Sequence, residues 1–218
     1  MIYVVGLKNE SNIKSIFVNE IIFNEFSIND DFSVAIFTSK NAVKACEINN
    51  INLKNKKIFS IGSATTNYLN EIGLNVFYTG STAHASEFKY EILPLLKSEK
   101  CVYFKALQII SDLDEFLYKN NIDLRCVVSY SNRRLKEPLG NDFMPFNEEI
   151  KEDDILIFLA PSGVRDFAYF YDFFPKNIIA IGKSTQKALS DLKINSIIPA
   201  YPTLDECLKL AQDLKKLS

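Results

Sequence analysis

The sequence predicts an α/β protein built from two similar units, each with a parallel sheet, joined by a two-stranded linker. Three observations carry this. Short β-branched and aromatic runs alternate with longer segments of helical period, as in βαβ units. The runs are almost continuously apolar, as in strands covered by helices on both faces. The chain also repeats itself in three short blocks at nearly the same offset.

The predicted strands are Ile2–Val5, Val34–Phe37, Lys57–Ile61, Asn75–Tyr78, Cys101–Phe104, Ile155–Leu159, Ile178–Ile181 and Ser196–Ile198. Between them the 3.6-residue period predicts helices over Ala42–Ile48, Ala64–Ile72, Glu87–Leu96, Asp112–Tyr118, Val164–Phe173, Thr185–Leu192 and Leu204–Leu217. The repeat is visible in three blocks. Ile36-Phe37-Thr38-Ser39-Lys40-Asn41-Ala42-Val43 matches Ile157-Phe158-Leu159-Ala160-Pro161-Ser162-Gly163-Val164, an offset of 157 − 36 = 121. Ile61-Gly62-Ser63-Ala64-Thr65 matches Ile181-Gly182-Lys183-Ser184-Thr185 at 181 − 61 = 120, and Gly73–Val76 faces Lys193–Ser196 at 193 − 73 = 120. Blocks this close to a common offset indicate two copies of one α/β unit.

The copies need not follow one another simply. Ile2–Val5 precedes the first copy, and the second has no counterpart of Cys101–Phe104 after its last helix. If Ile2–Val5 completes the second sheet, that domain is discontinuous. The expected division is residues 1–20 with 135–218 as one domain, 30–123 as the other, and 21–29 and 124–134 as linkers. Glu20–Phe26 and Arg125–Ser131 have strand character and are the expected crossings. Paired antiparallel, they would form a hinge on which a cleft opens and closes.

Composition excludes several function classes. Net charge is −2 and there is no long basic block, so nothing points to a nucleic-acid or acidic-membrane partner. A hydrophobic fraction of 47% with 24% charged residues suits a packed soluble protein. Cys46, Cys101, Cys126 and Cys207 are scattered, with no CxxC pair and one histidine, His84, so no metal is expected and the thiols read as core residues in a reducing cytosol. The N-terminus reads as a strand interrupted by Asn9, Glu10 and Asn12, not as an export signal, and runs such as Ile155–Ala160 are far too short to span a bilayer. A cytoplasmic location is expected.

The chemistry is concentrated at the strand-to-helix junctions. Thr38, Ser39 and Asn41 follow one strand; Ala160, Pro161, Ser162 and Gly163 follow its counterpart. Ser63 and Thr65, and in the second copy Ser184 and Thr185, follow the two Ile-Gly pairs. Small hydroxyl residues and glycine at helix starts read as N-caps that leave backbone N–H groups accessible. Open helix N-termini attract anions, and in a parallel sheet these junctions share the carboxyl edge where ligands bind. Capping alone explains any one of them; the duplicated set points further. No GxGxxG or GxxxxGK[ST] string occurs, so this is not a nucleotide fingerprint. His84, in the polar run Ser81–Ser86, reads as a surface residue near a helix start and not as a base. Whatever reaction occurs must rely on shape, hydroxyls and backbone dipoles, with no cofactor expected.

These features together resemble the uroporphyrinogen-III synthase family. Phe37-Thr38-Ser39-Lys40-Asn41-Ala42-Val43 is close to its Thr-Ser-x-x-Ala-Val string, and Ile61-Gly62-Ser63-Ala64-Thr65 and Ile181-Gly182-Lys183-Ser184-Thr185 to its Gly-x-x-Thr. Val127-Val128-Ser129-Tyr130 resembles the returning segment that ends in a tyrosine, Phe158–Val164 the Ser-Pro-Ser-x-Val string, and Pro202-Thr203-Leu204 the closing Pro-Thr. The ordered set runs from Phe37 to Leu204. Three places depart from the pattern. The segment after Val5-Gly6-Leu7-Lys8 is short, Phe104-Lys105-Ala106-Leu107 stands where a basic, glycine-containing stretch is usual, and Ala160 replaces the first serine of Ser-Pro-Ser.

The resemblance implies two similar flavodoxin-like domains and a substrate, hydroxymethylbilane, that bears acetate and propionate carboxylates on four pyrroles. It implies loss of the terminal hydroxyl to an azafulvene, a spiro intermediate at ring D, and closure with that ring inverted. Thr38, Ser39, Ser63, Thr65, Ser162, Ser184 and Thr185 would hold carboxylates, Gly163 would permit close approach, and Tyr130 would hydrogen-bond the departing hydroxyl. Lys105, Arg165 and Lys183 could add charge or simply line a solvated face. A monomer is expected, supplied with the bilane by the preceding pathway enzyme. Two other classes fit parts of the pattern. A two-domain protein that closes on a small anion without chemistry shares the duplication and hinge. A tandem of receiver-like domains would need acidic residues after the first strand, whereas Asp30-Asp31 precede one.

Overall fold

The structure, a computed structural model, describes residues 1–6, 13–29, 31–108 and 111–216. Leu7, Lys8, Asn9, Glu10, Asn12, Asp30 and Leu217, on which parts of the sequence reading fall, lie outside the described residues. The chain is a mixed α/β fold with a mostly parallel sheet and, among the described residues, seven α-helices. In chain order these are β1 (Ile2–Val5), β2 (Lys14–Phe23), β3 (Val34–Phe37), α1 (Lys40–Ile48), β4 (Lys57–Ser60), α2 (Ser63–Glu71), β5 (Val76–Thr79), α3 (Ala85–Ile92), β6 (Lys100–Ala106), α4 (Leu113–Lys119), β7 (Asp123–Leu139), β8 (Ile155–Phe158), α5 (Pro161–Phe170), β9 (Asn177–Ala180), α6 (Lys183–Asp191) and α7 (Leu204–Lys216). A 3₁₀ turn, Leu93–Leu95, with Pro94 inside it, carries α3 on to the end expected from the period.

The chain forms two compact units, Met1–Glu20 with Arg133–Ser218, and Ile21–Asn132. In the unit of Ile21–Asn132 the strand order is β5-β4-β3-β6-β7, with parallel pairing throughout. Counted along the chain this is 3-2-1-4-5. It differs from the 2-1-3-4-5 order of flavodoxin-like sheets and matches the first strands of the dinucleotide-binding order. In the other unit the order is β9-β8-β1-β2, again parallel. Here β1 flanks β8 as β6 flanks β3, so Ile2–Val5 fills the place that Cys101–Phe104 fills in the other copy. The crossing strands β2 and β7 are neighbours; β2 begins earlier than the expected Glu20–Phe26 and stops at Phe23, and β7 runs past Arg125–Ser131 at both ends.

One expected strand is reduced. Ser196–Ile198 makes only an isolated parallel bridge, Ile179 to Ile197, with bonds Ala180 N–H to Ile197 C=O (2.9 Å) and Ile197 N–H to Ile178 C=O (3.0 Å). Pro199 follows at once and has no N–H to continue the ladder.

Apolar side chains alternate between the two faces of each sheet. In the unit of Ile21–Asn132, Ala35, Phe37, Val102 and Phe104 pack under Ala42, Val43 and Cys46 of α1 and Leu69 of α2. On the opposite face Val34, Ile36, Cys101 and Tyr103 meet Phe88 and Ile92 of α3 and Leu113 and Leu117 of α4. The other unit repeats the scheme: Tyr3, Val5, Leu156 and Phe158 pack with Val164, Phe167 and Leu189, while Val4, Ile155, Ile157 and Ile179 pack with Cys207 and Ala211 of α7. The duplication extends to how helices stop. After α2, Gly73 (φ 80°) and Leu74 bond back to Asn70 and Leu69; after α6, Lys193 (φ 63°) and Ile194 bond back to Ser190 and Leu189. Both are Schellman turns, and the second holds a lysine in the left-handed region that glycine favours.

Candidate active site

In both units the helices α1, α2, α5 and α6 begin where a parallel strand ends, so their N-termini collect at carboxyl edges. The caps match the sequence reading only in part. Ser39 alone caps with its side chain, accepting from the Asn41 N–H at 3.1 Å. The other caps are Gly62, Ala160 and Gly182, each extended and without a side-chain bond. Ser63, Thr65, Ser162, Ser184 and Thr185 stand inside the first turn, because the helices begin directly after Gly62, Ala160 and Gly182. The first-turn N–H groups of α2, α5 and α6 are therefore not taken by a cap side chain. Nor does either Ile-Gly glycine supply a special turn: φ is −179° at Gly62 and −171° at Gly182, ordinary extended backbone.

At the edge of the unit Ile21–Asn132, β3 delivers Thr38 and Ser39, β6 Tyr103 and Lys105, and β7 Tyr130. Thr38 and Tyr103 share a hydroxyl–hydroxyl bond of 2.9 Å, and burial pushes the Tyr103 phenol up to about 12 although Thr38 opposes it. Tyr130 is 8% exposed; burial raises its phenol above the ordinary value, and the neighbouring Ser39 side chain offsets part of the rise. Tyr130 therefore stays protonated at neutral pH and can donate. Ser63 is exposed, whereas Thr65 is buried. Lys105 is committed to an ion pair with Asp114, and Asp112 to Lys89 at 2.7 Å, so the Asp112-Leu113-Asp114 string is occupied by lysines. His84 is exposed at the N-cap of α3 and makes no side-chain cap bond.

The edge of the other unit carries Ser162 and Gly163 at the start of α5 and Ser184 and Thr185 at the start of α6. Ser184 is exposed, Ser162 half-buried and Thr185 buried, the same gradation as in the first copy. Gly163 is buried; a Cβ there would stand 3.5 Å from the Val5 carbonyl oxygen, ordinary contact, so no neighbour within this unit requires the glycine. Arg165 and Lys183 are exposed. The sequence reading missed Tyr103, whose place in an apolar strand signals only core, and the group formed by Asn19, Arg134 and Asp166, distant in sequence. Arg134 bonds Asp166 at 3.0 Å, stacks on Tyr169 at 3.8 Å, and shares Asp166 with buried Asn19.

Among the described residues no group of three or more His, Cys, Asp or Glu is placed to hold a metal ion, and no helix is long and apolar enough to cross a membrane. No curated protein matches the chain. The fold is similar to the crystal structure of uroporphyrinogen-III synthetase from Helicobacter pylori, with a TM-score of 0.78 at 28% identity and 98% of each chain covered. It is also similar, in fold alone, to a mutant uroporphyrinogen III synthase from the extremely thermophilic bacterium Thermus thermophilus, with a TM-score of 0.63 at 13% identity over 100% of this chain and 99% of that one. The profile of the family described as uroporphyrinogen-III synthase HemD matches residues 12–209, nearly the whole chain. This chain belongs to the uroporphyrinogen-III synthase family.

Proposed function

We propose that the chain closes hydroxymethylbilane to uroporphyrinogen III, inverting ring D, as a cyclising lyase of tetrapyrrole biosynthesis. The match to the family over residues 12–209 carries this reading, and the alternative of a non-catalytic anion-binding protein is not favoured. The chemical problem is positional. The bilane left alone closes to the symmetric isomer I, so the enzyme must hold the chain folded and favour attack at the substituted carbon of ring D. Carboxylates suit helix N-termini whose amides are uncapped. In this reading Thr38, Ser39, Ser63 and Thr65 of one unit, and Ser162, Gly163, Ser184 and Thr185 of the other, bind side-chain carboxylates. The buried Thr65 and Thr185 contribute by shaping the first turn, since their own N–H groups bond the Gly62 and Gly182 carbonyls at 3.1 Å. Tyr130 donates a hydrogen bond to the departing hydroxyl; its burial beside Ser39 keeps it protonated for that task.

The two compact units support reading residues 1–20 with 135–218, and 30–123, as duplicate α/β domains with 21–29 and 124–134 as their linkers. The protein works as a cytoplasmic monomer to which the preceding enzyme delivers the bilane. The test is to supply freshly made hydroxymethylbilane, oxidise the product and separate the uroporphyrin isomers. Enrichment of isomer III over a protein-free control is expected, and isomer I alone from folded protein would overturn the assignment. Tyr130→Phe should lower kcat about a hundredfold with little change in KM, the size of a lost acid group; unchanged turnover would remove its role.

A further inference from the structure

Tyr130 stands on a face of β7 that simple alternation would not give it. Leu124 and Cys126 pack toward Tyr103, Leu113 and Leu117, while Val127 packs on the opposite face with Phe37 and Phe104. Side chains alternate along a strand, so Tyr130 should follow Leu124 and Cys126. It packs with Val127 instead, three residues away. The cause is a shift in register. Lys105 lies opposite Val128 and Ala106 opposite Tyr130, which leaves Ser129 with no partner on β6. The neighbouring strand keeps its alternation, with Val102, Phe104 and Ala106 on one face and Cys101 and Tyr103 on the other. The extra residue is therefore on β7: a bulge in a parallel pair, where bulges are rare, and a one-residue insertion changes the face of every later side chain.

The bulge is held from both flanks. Ser129 is fully buried, its hydroxyl donates to the Lys105 carbonyl at 3.1 Å, and its own carbonyl accepts from the Asn24 N–H at 3.0 Å. Asn24 Nδ2 donates to the Val128 carbonyl at 2.9 Å, and the Leu107 N–H to the Tyr130 carbonyl at 2.8 Å. The Ser129 hydroxyl thus ties the bulge to the β6 carbonyl beside it. We infer that Ser129 is a positioning residue for the reaction: by holding the bulge it turns the Tyr130 ring onto the face of Phe37 and α1, beside Ser39. The inference rests on the reading of Tyr130 as the group that assists departure of the hydroxyl. Alanine there would remove the hydroxyl's bond to the Lys105 carbonyl and free the strand to regularise.

The test combines structure and kinetics. Protein labelled with 3-fluorotyrosine gives a ¹⁹F resonance for Tyr130, identified by its loss in Tyr130→Phe; kinetics use unlabelled protein. In Ser129→Ala the Tyr130 resonance should move, and kcat for isomer III should fall about tenfold or more with KM nearly unchanged, as for a misplaced group. Ser129→Thr, which keeps the hydroxyl, should restore both. Added to Tyr130→Phe, Ser129→Ala should cost no further turnover. An unmoved Tyr130 resonance in folded Ser129→Ala, or an equal further loss in the Tyr130→Phe background, overturns the inference. Full turnover in Tyr130→Phe alone would instead sink the role of Tyr130, leaving the resonance to decide whether Ser129 places it. If Ser129→Ala does not fold, Asn24→Ala loosens the bulge from the other side, and an unmoved resonance there overturns the inference as well.

Discussion

The Ile-Gly-x-x-Thr string occurs twice, and its two glycines should respond differently to the same substitution. Both have extended backbone, with φ −179° at Gly62 and −171° at Gly182, so neither is required by conformation. The difference is steric. A Cβ on Gly62 would lie 2.6 Å from the Ala83 Cβ and 3.2 Å from its Cα, whereas on Gly182 the nearest neighbour is the Pro202 Cβ at 3.8 Å. Carbon atoms in contact sit about 3.5–4.0 Å apart, so Gly62→Ala overlaps its neighbour by roughly 1 Å. Ala83 is itself held at φ 58° ahead of α3, which limits its retreat. Overpacking of this kind costs about 1–3 kcal/mol. Gly182→Ala meets ordinary contact and gains about 0.4–1 kcal/mol from a less free unfolded chain. Both glycines are N-caps, where alanine is less favourable, but that cost is common and cancels in the comparison. The difference of about 1.4–4 kcal/mol should place the Gly62→Ala urea midpoint below that of Gly182→Ala by about 0.5–1.3 M at a slope of about 3 kcal/mol/M. Far-ultraviolet dichroism and tyrosine fluorescence should both be followed, because two compact units need not unfold in one step. Ala83→Gly should rescue Gly62→Ala. An equal or larger loss in Gly182→Ala would refute the steric argument.

Other consequences are as direct. Asp114→Asn leaves the Lys105 ammonium, 15% exposed, without its counter-ion and should cost about 1–3 kcal/mol in urea melts. Lys105→Met should leave KM for the bilane unchanged, and a rise in KM would give Lys105 a substrate contact. The Lys57 ammonium and then the Ser33 hydroxyl hold the Glu99 carboxyl below its ordinary value. A depressed carboxyl stabilises above its unfolded pKa, about 4.3, and the benefit is lost as pH falls through the lower folded value. The gap in urea midpoint between the parent and Glu99→Gln should hold near neutral pH and close only on acidification below about pH 4; a gap independent of pH would refute this. Burial pushes the thiols of Cys101 and Cys207 up to about 12 and about 11, and that of Cys46 further. Burial raises the Cys126 thiol as well, but it alone of the four is partly exposed, so a disulfide reagent should label it first and the remaining thiols only on unfolding.

What the sequence by itself determined was local and periodic. Runs such as Val34–Phe37 and Ile155–Phe158 declare buried strands because nothing polar interrupts them, and all seven helices follow from spacing alone. The repeat offset pointed to two related units, and Ile2–Val5 pairs with β8, as expected if it completes the second sheet. Hydroxyls at the strand ends were legible as a carboxyl-edge set because topology brings every such junction of a parallel sheet to one edge. Tertiary structure decided the rest, wherever the partner is remote in sequence. Whether Gly62 is obligatory depends on Ala83, and whether Lys105 is free depends on Asp114. The face of Tyr130 depends on the register between β6 and β7, and no residue of Val127-Val128-Ser129-Tyr130 encodes a bulge by type. Pattern fixes which residues are apolar and how often they recur. Register, caps and pairing are differences of a few kcal/mol among alternatives with the same pattern, and packing alone selects among them.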